Sequence, residues 1–227
     1  MHSTREFLGT LPHLSSIDSR GLDDLHARFR EVTYHPRQGI QAQAAASAGL
    51  HVLIAGWVKL FRTSSDGKEL LMALAGPGDL FGPCCAPFSG DRSLCSAQAQ
   101  TPVRALLMSH QTWKLTVGQD LALAGPMLAT LSGNRRDCTE LAPLLAFHGV
   151  ESRLARFLLS LTRWCTPGAP EQEIPRVLSQ GEMASAIGTA REVVTRLLGG
   201  LEARNLIDRR GRRIIVKDPR GLAKLAG

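Results

Sequence analysis

The chain has 227 residues, 44% of them hydrophobic, and a formal net charge of +7. That length and apolar content exclude a disordered tail and leave room for one large or two modest cores. Five cysteines make no disulfide framework, and no long apolar span, basic amphipathic anchor or leader with a cleavage site is present, so a cytoplasmic protein with free thiols and no membrane partner is expected.

The charge is unevenly placed. Val150 to Gly227 holds 14 Lys and Arg against 8 Asp and Glu, while the rest of the chain carries 13 against 12. The basic C-terminal third calls for a polyanionic partner, and nucleic acid fits it better than a membrane surface.

Residues 1–33 read as a helical lead-in in which Leu22, Leu25 and Phe29 share one face and serve packing. From Tyr34 the texture changes to short apolar runs broken by glycine, LHVLIAGWVKLF and then LLMALAGPGDLF, with Asp66 and Gly67 marking a hairpin turn between strand-like stretches. Such regular short strands predict an antiparallel β-roll or barrel ending near Ser109. Between Leu121 and Leu145 the period switches: Leu121, Ala124, Leu128, Leu131, Arg135, Cys138, Ala142 and Leu145 alternate spacings of three and four, the seam of a two-stranded coiled coil. A homodimer is predicted, although Arg135 interrupts the seam, Gly133 weakens the helix, Pro143 removes a backbone donor, and a core helix within one chain has the same period. Phe147 to Val150 then form a hinge, Val150, Leu154, Phe157, Leu158 and Leu161 an amphipathic helix, and Thr166 to Glu173 a loop.

Ser179 to Asn205 is the most informative stretch. Ser179 with Glu182, and Thr189 with Glu192, have the spacing of capping boxes, so two helices are predicted to start there, with Gly188 supplying the tight turn between them. On the second helix Val193, Val194, Leu197, Leu198 and Leu201 make a buried face, and Arg191, Glu192, Thr195 and Arg196 an opposite face suited to base edges and phosphates. A basic hairpin follows from Leu206 to Lys217, with Arg209, Arg210, Arg212 and Arg213 around Gly211, shaped like a wing. A solvated face on an ordinary surface helix is the plain alternative; the order of helix, glycine turn, helix and basic hairpin weighs against it.

From about Tyr34 to Lys217 the chain resembles the Crp/Fnr superfamily of bacterial transcription regulators, most specifically in the GTAREVVTR run from Gly188 to Arg196. The resemblance implies an α+β fold. Residues 1–112 would form a double-stranded β-helix (β-roll) that senses an effector, residues 113–149 a dimerisation helix and hinge, and residues 150–227 a winged helix-turn-helix. It further implies a non-enzymatic regulator that binds a palindromic operator in double-stranded DNA as a homodimer, with RNA polymerase a further partner if it activates. Arg191, Glu192 and Arg196 would then read bases, while the caps at Ser179 and Thr189 and the wing arginines Arg209, Arg210, Arg212 and Arg213 would meet phosphates. Thr195 stands where the Fnr branch tends to carry serine, leaving TGTGA-like and TTGA-like half-sites both open. The dimer contact would run along Leu121, Leu128, Leu131, Arg135, Cys138, Ala142 and Leu145.

The signal is less constrained. After Gly78 to Gly82 the superfamily's cyclic-AMP site has an acidic residue, and here Pro83 follows, with Arg92 and Ser93 left as a phosphate pair, which disfavours cyclic AMP. No cysteine precedes Cys84, which disfavours an iron-sulfur cluster. The pocket loop instead carries Cys84 and Cys85, with Cys95 in the next run, and Cys138 falls where relatives contact effector from the dimer helix. These thiols suit a soft metal or metalloid, with Cys84, Cys85 and Cys138 as a trigonal site, or a redox switch; each taken alone is also an ordinary small buried hydrophobe. Cys165 is assigned packing. Haem stays open, because a cysteine could ligate it, although His35, His51 and His110 lack ligand spacing. A cupin-type barrel enzyme would need clustered metal-binding histidines, and none stand in a recognisable spacing.

Overall fold

Ser3 opens the first helix with a reciprocal cap: its side chain accepts from the Glu6 amide and the Glu6 carboxylate accepts from the Ser3 amide. The structure, a computed structural model, describes residues 3–82, 92–165, 172–174, 177–211 and 213–227, with the backbone alone over 134–140. The fold is α+β, in two units: 1–68 with 72–139, and 69–71 with 140–227.

In the first unit α1 (Thr4–Gly9) and α2 (Ser19–Ala27) precede eight strands, β1 (Arg30–Tyr34), β2 (Gly39–Gln41), β3 (Gly49–Ala55), β4 (Val58–Thr63), β5 (Glu69–Ala75), β6 (Leu80–Phe81), β7 (Ser96–Ala99) and β8 (Val103–Ser109). They form two four-stranded sheets, ordered β1-β8-β3-β6 and β2-β7-β4-β5. The strands begin at Arg30, earlier than the change of texture at Tyr34, because β1 pairs along its whole length with β8, from Arg30 opposite Leu107 to Tyr34 opposite Val103. Asp66 and Gly67 do make the turn between β4 and β5, with Gly67 at φ 82°.

Alternation along the strands sorts side chains into two cores. Leu50 and Val52 of β3 and Leu106 and Met108 of β8 join Leu8, Leu14, Leu25 and Trp113 outside the sheet. Leu53, Val103 and Ala105 face the other way and meet Val58, Phe81, Ala97 and Ala99 inside the roll. The backbones of β3 and β6 approach so closely that a Cβ on Gly82 (φ 140°) would lie 2.1 Å from the Gly49 carbonyl oxygen, a position only glycine fills.

Ser109 caps α3 (His110–Gln119), and α4 (Leu121–Phe147) follows. The predicted seam divides along this helix. Ala124 is fully buried and Leu131 is 7% exposed in the outer core of their own chain, with Leu128 packed against the same cluster. Ala124 and Leu131 thus contribute to the core of their own chain. Leu121 is 67% exposed, Ala142 is exposed and Leu145 half-buried. The side chains of Arg135 and Cys138 lie outside the described residues.

The second unit contains α5 (Val150–Leu161), β9 (Gln172–Glu173), α6 (Gln180–Ile187), α7 (Arg191–Ala203), β10 (Ile207–Arg210), β11 (Arg213–Val216) and α8 (Pro219–Ala226). Leu154, Ala155, Leu158 and Leu161 form the buried stripe of α5. The Arg156 guanidinium of α5 donates to the carbonyl oxygens of Ala226 and Gly227, both at 2.7 Å, tying down the end of α8. The expected loop from Thr166 to Glu173 ends in a strand: Gln172 and Glu173 pair with Val216 and Ile215, adding β9 to the hairpin as a third strand, ordered β10-β11-β9.

Candidate nucleic-acid interface

The site is built from α6, the turn after it, α7 and the β10–β11 hairpin. Ser179 caps α6 as expected: its Oγ accepts from the Glu182 amide at 3.2 Å and Glu182 Oε2 accepts from the Ser179 amide at 2.8 Å. Such a cap contributes about 1 kcal/mol. Gly188 ends α6 in the left-handed region, φ 62° and ψ 51°, and its amide donates to the Ala184 carbonyl. The next amide, that of Thr189, donates to the same carbonyl at 3.0 Å.

That second bond overturns the expected cap at Thr189. Its residue belongs to the closing turn of α6, so α7 starts one residue later, with Ala190 at the N-cap and no side-chain cap bond. The Glu192 carboxylate thus forms no capping box with Thr189, and Glu192 stays exposed.

Val194, Leu198 and Leu201 are buried, while Val193 and Leu197 are half-buried. This apolar stripe pins α7 and leaves Arg191, Glu192, Thr195 and Arg196 exposed together on the opposite side. Two guanidinium groups, a carboxylate and a hydroxyl therefore share one face over the first two turns, the part of a helix that can enter a major groove. Thr195 is the least free of them: its Oγ1 reaches Gln180 Oε1 at 2.8 Å and the Arg191 carbonyl at 3.0 Å.

The hairpin turns at Gly211 (φ 66°), but its arginines are not equivalent. Arg209 is clamped to Glu202 of α7, with Nη2 at 2.6 Å and Nε at 2.8 Å from Oε2, while its own amide donates to Oε1 at 3.1 Å. This network, led by the Arg209 side-chain bonds, holds the Glu202 carboxyl below its ordinary value. Arg209 therefore fastens wing to helix, with Nε and Nη2 both spent on the Glu202 carboxylate. Arg210 is exposed and bonds Asp208 at 2.9 Å; Arg213 is exposed with Glu173 of β9 at 3.4 Å. Arg212 lies outside the described residues. Gln180 and Glu202 are the residues that sequence reasoning missed; no local pattern marks either, because each acts on a residue in another element.

Of the five thiols, the described residues show the side chains of Cys95 and Cys165. Cys84 and Cys85 lie outside the described residues. Cys95 is 6% exposed in the first unit. Cys165 is half-buried and bonds the Glu173 carbonyl through Sγ at 3.2 Å, and burial followed by the Glu173 charge pushes its thiol up. Among the described residues no group of three or more His, Cys, Asp or Glu stands ready to hold a metal ion, and no helix is long and apolar enough to cross a membrane. His51 is wholly buried, with Nε2 2.9 Å from the Tyr34 hydroxyl and its ring stacked on Phe81 at 4.6 Å.

Comparison with known proteins agrees with this arrangement. Residues 152–225 match the Crp-like helix-turn-helix domain and residues 31–119 the cyclic nucleotide-binding domain. A CRP-like cAMP-activated global transcriptional regulator of Mycobacterium tuberculosis is 27% identical over 223 residues, covering 97% of this chain and 99% of that protein. The global nitrogen regulator of Synechococcus elongatus is 33% identical over 178 residues, covering 77% and 80%. FixK2 from Bradyrhizobium japonicum shares the fold, with a TM-score of 0.77 at 23% identity over 88% of this chain and 98% of that one. With its sheet domain, its helices and its DNA-binding helix-turn-helix, the chain belongs to the Crp/Fnr family of transcription regulators.

Proposed function

We propose that the protein binds a palindromic operator as a homodimer, α7 of each copy entering the major groove of one half-site. The observation that carries this is the exposed set Arg191, Glu192 and Arg196 on a helix pinned by Val194, Leu198 and Leu201. Arg196 and Arg191 can each donate a bidentate pair to guanine O6 and N7, and Glu192 can accept from the N4 amine of cytosine. Arg210 and Arg213 meet phosphates, which give affinity and salt dependence without reading sequence. The partner contact runs along α4 at Leu121, Leu128, Leu131, Ala142 and Leu145, together with Arg135 and Cys138.

Gel-shift titrations on an operator selected from random duplexes, and on a scrambled duplex, test this. Glu192→Ala is expected to cost about 1 to 3 kcal/mol on the operator alone. Arg210→Ala is expected to weaken both duplexes alike. Equal effects of the two substitutions on both duplexes, or selection that enriches no palindrome, refute the reading.

The signal we propose is not cyclic AMP but a thiol-directed one, a soft metal, a metalloid or an oxidant, received through Cys84, Cys85 and Cys138. What supports it is the sequence: Pro83 stands at the acidic position and the cysteine pair follows. The relatives' names do not choose, since one is called cAMP-activated and another a nitrogen regulator. Metal analysis and an absorption spectrum of anaerobically purified protein, with operator titrations in the presence and absence of cyclic AMP, decide it. A response to cyclic AMP, a haem spectrum, or an unchanged response after all three cysteines become serine refutes the thiol reading.

A further inference from the structure

Gln180 lies beside the reading face without belonging to its helix. It is the first residue of α6, half-buried, and its Oε1 accepts from the Thr195 hydroxyl across 15 residues of sequence at 2.8 Å. Thr195 is exposed on α7, one turn beyond Arg191 and next to Arg196. Its hydroxyl carries a single hydrogen and faces two acceptors of the protein itself, Gln180 Oε1 and, at 3.0 Å, the Arg191 carbonyl. With that hydrogen engaged, Thr195 keeps only lone pairs for a base edge and cannot donate to one.

The same bond orients the Gln180 amide. A planar amide whose oxygen is held at Thr195 must point its NH2 group to the other side, and among the described residues that group meets no acceptor. It is a fixed neutral donor at the flank of α7. A helix that precedes the groove-entering helix crosses the DNA backbone. The groups within its reach are phosphate oxygens, which only accept.

We propose that Gln180 is a DNA-contacting residue whose amine donates to a backbone phosphate at the edge of the half-site, and that Thr195 is a positioning residue that acts through Gln180 instead of reading a base. This rests on the proposed entry of α7 into the major groove. Base preference in each half-site then comes from Arg191, Glu192 and Arg196, and the Thr195–Gln180 pair sets how deeply and at what angle the motif seats.

Fluorescence-anisotropy titrations of the full-length protein on the selected operator and on a scrambled duplex test it, with Thr195→Val, Gln180→Ala, the double variant, Gln180→Glu and, as a control, Arg196→Ala. Thr195→Val and Gln180→Ala are each expected to weaken both duplexes by roughly three- to tenfold, the worth of one neutral hydrogen bond. The double variant should be no weaker than either single one. Gln180→Glu keeps an acceptor for Thr195 but presents an oxygen to the phosphate, so it should bind more weakly than Gln180→Ala. Additive losses, a Thr195→Val loss confined to the operator, or Gln180→Glu binding like the wild type overturns the pair's role while leaving base reading by α7 intact. Failure of the wild type to prefer the operator, with Arg196→Ala unchanged on both duplexes, overturns base reading itself and the pair's role with it.

Discussion

Acidification should loosen the first unit through one side chain. His51 sits on β3 with no exposed surface, bonded through Nε2 to Tyr34 of β1 and stacked on Phe81 of β6. Burial lowers its imidazole to about 4, the Gly49 backbone opposing and the Arg30 charge adding to the shift. An exposed imidazole titrates near about 6.5, so between those values the unfolded chain binds a proton that the folded one refuses. Stability from this group is complete above the upper value and is lost as pH falls toward the lower. From pH 7 to pH 5 the loss is about 2 kcal/mol. Urea unfolding in a Trp164→Phe background reads it, because the remaining Trp57 and Trp113 both lie in the first unit. Replacing His51 with Phe keeps an aromatic ring against Phe81, removes the titration and strands the Tyr34 hydroxyl, a cost that does not vary with pH. The wild type should therefore lose about 2 kcal/mol more than His51→Phe between the two pH values. Equal losses in the two proteins would refute the buried neutral imidazole.

Further expectations concern the second unit. Gly188→Ala places a Cβ at left-handed angles and 2.8 Å from Leu145 Cδ2, and should cost at least about 1 to 2 kcal/mol in thermal unfolding, with Gly188→Asn milder; a Gly188→Ala protein as stable as the wild type would contradict the turn. Ser179→Ala removes the cap of α6 and should cost about 1 kcal/mol by urea denaturation, whereas Thr189→Ala, which has no cap bond to lose, should change the stability little. Arg209→Ala and Glu202→Gln should each lower the urea midpoint slightly and combine without adding, since both break one partly exposed clamp; additive losses would show that the two groups act separately.

The parts of this structure that a sequence displays are those whose cause is local. Ser179 with Glu182, Gly188, the spacing of Val194, Leu198 and Leu201, and the Asp66–Gly67 turn each declare themselves within a few residues, and each stands where it was expected. What was illegible depends on neighbours distant in the chain. Gln172 and Glu173 are a strand only because the edge of β11 is there to pair with them. The period of α4 shows that one face is apolar but not whose apolar surface covers it, and Ala124 and Leu131 join the core of their own chain. Thr189 has the composition of a cap, yet the closing bonds of the preceding helix reach it first. A row of arginines around a turn carries no mark to separate Arg209, which faces Glu202, from Arg210, which does not.

The Glu202–Arg209 clamp has a bearing on how this protein could be retargeted. Arg191 to Arg196 can be exchanged for the matching residues of another family member at the cost, among the described residues, of the bonds Thr195 makes to Gln180 and to the Arg191 carbonyl. A graft that extends through the end of α7 takes Glu202 with it and orphans Arg209 in the host hairpin, so the unit of transfer for a working change of operator preference is Gln180 to Val216, helix and wing together.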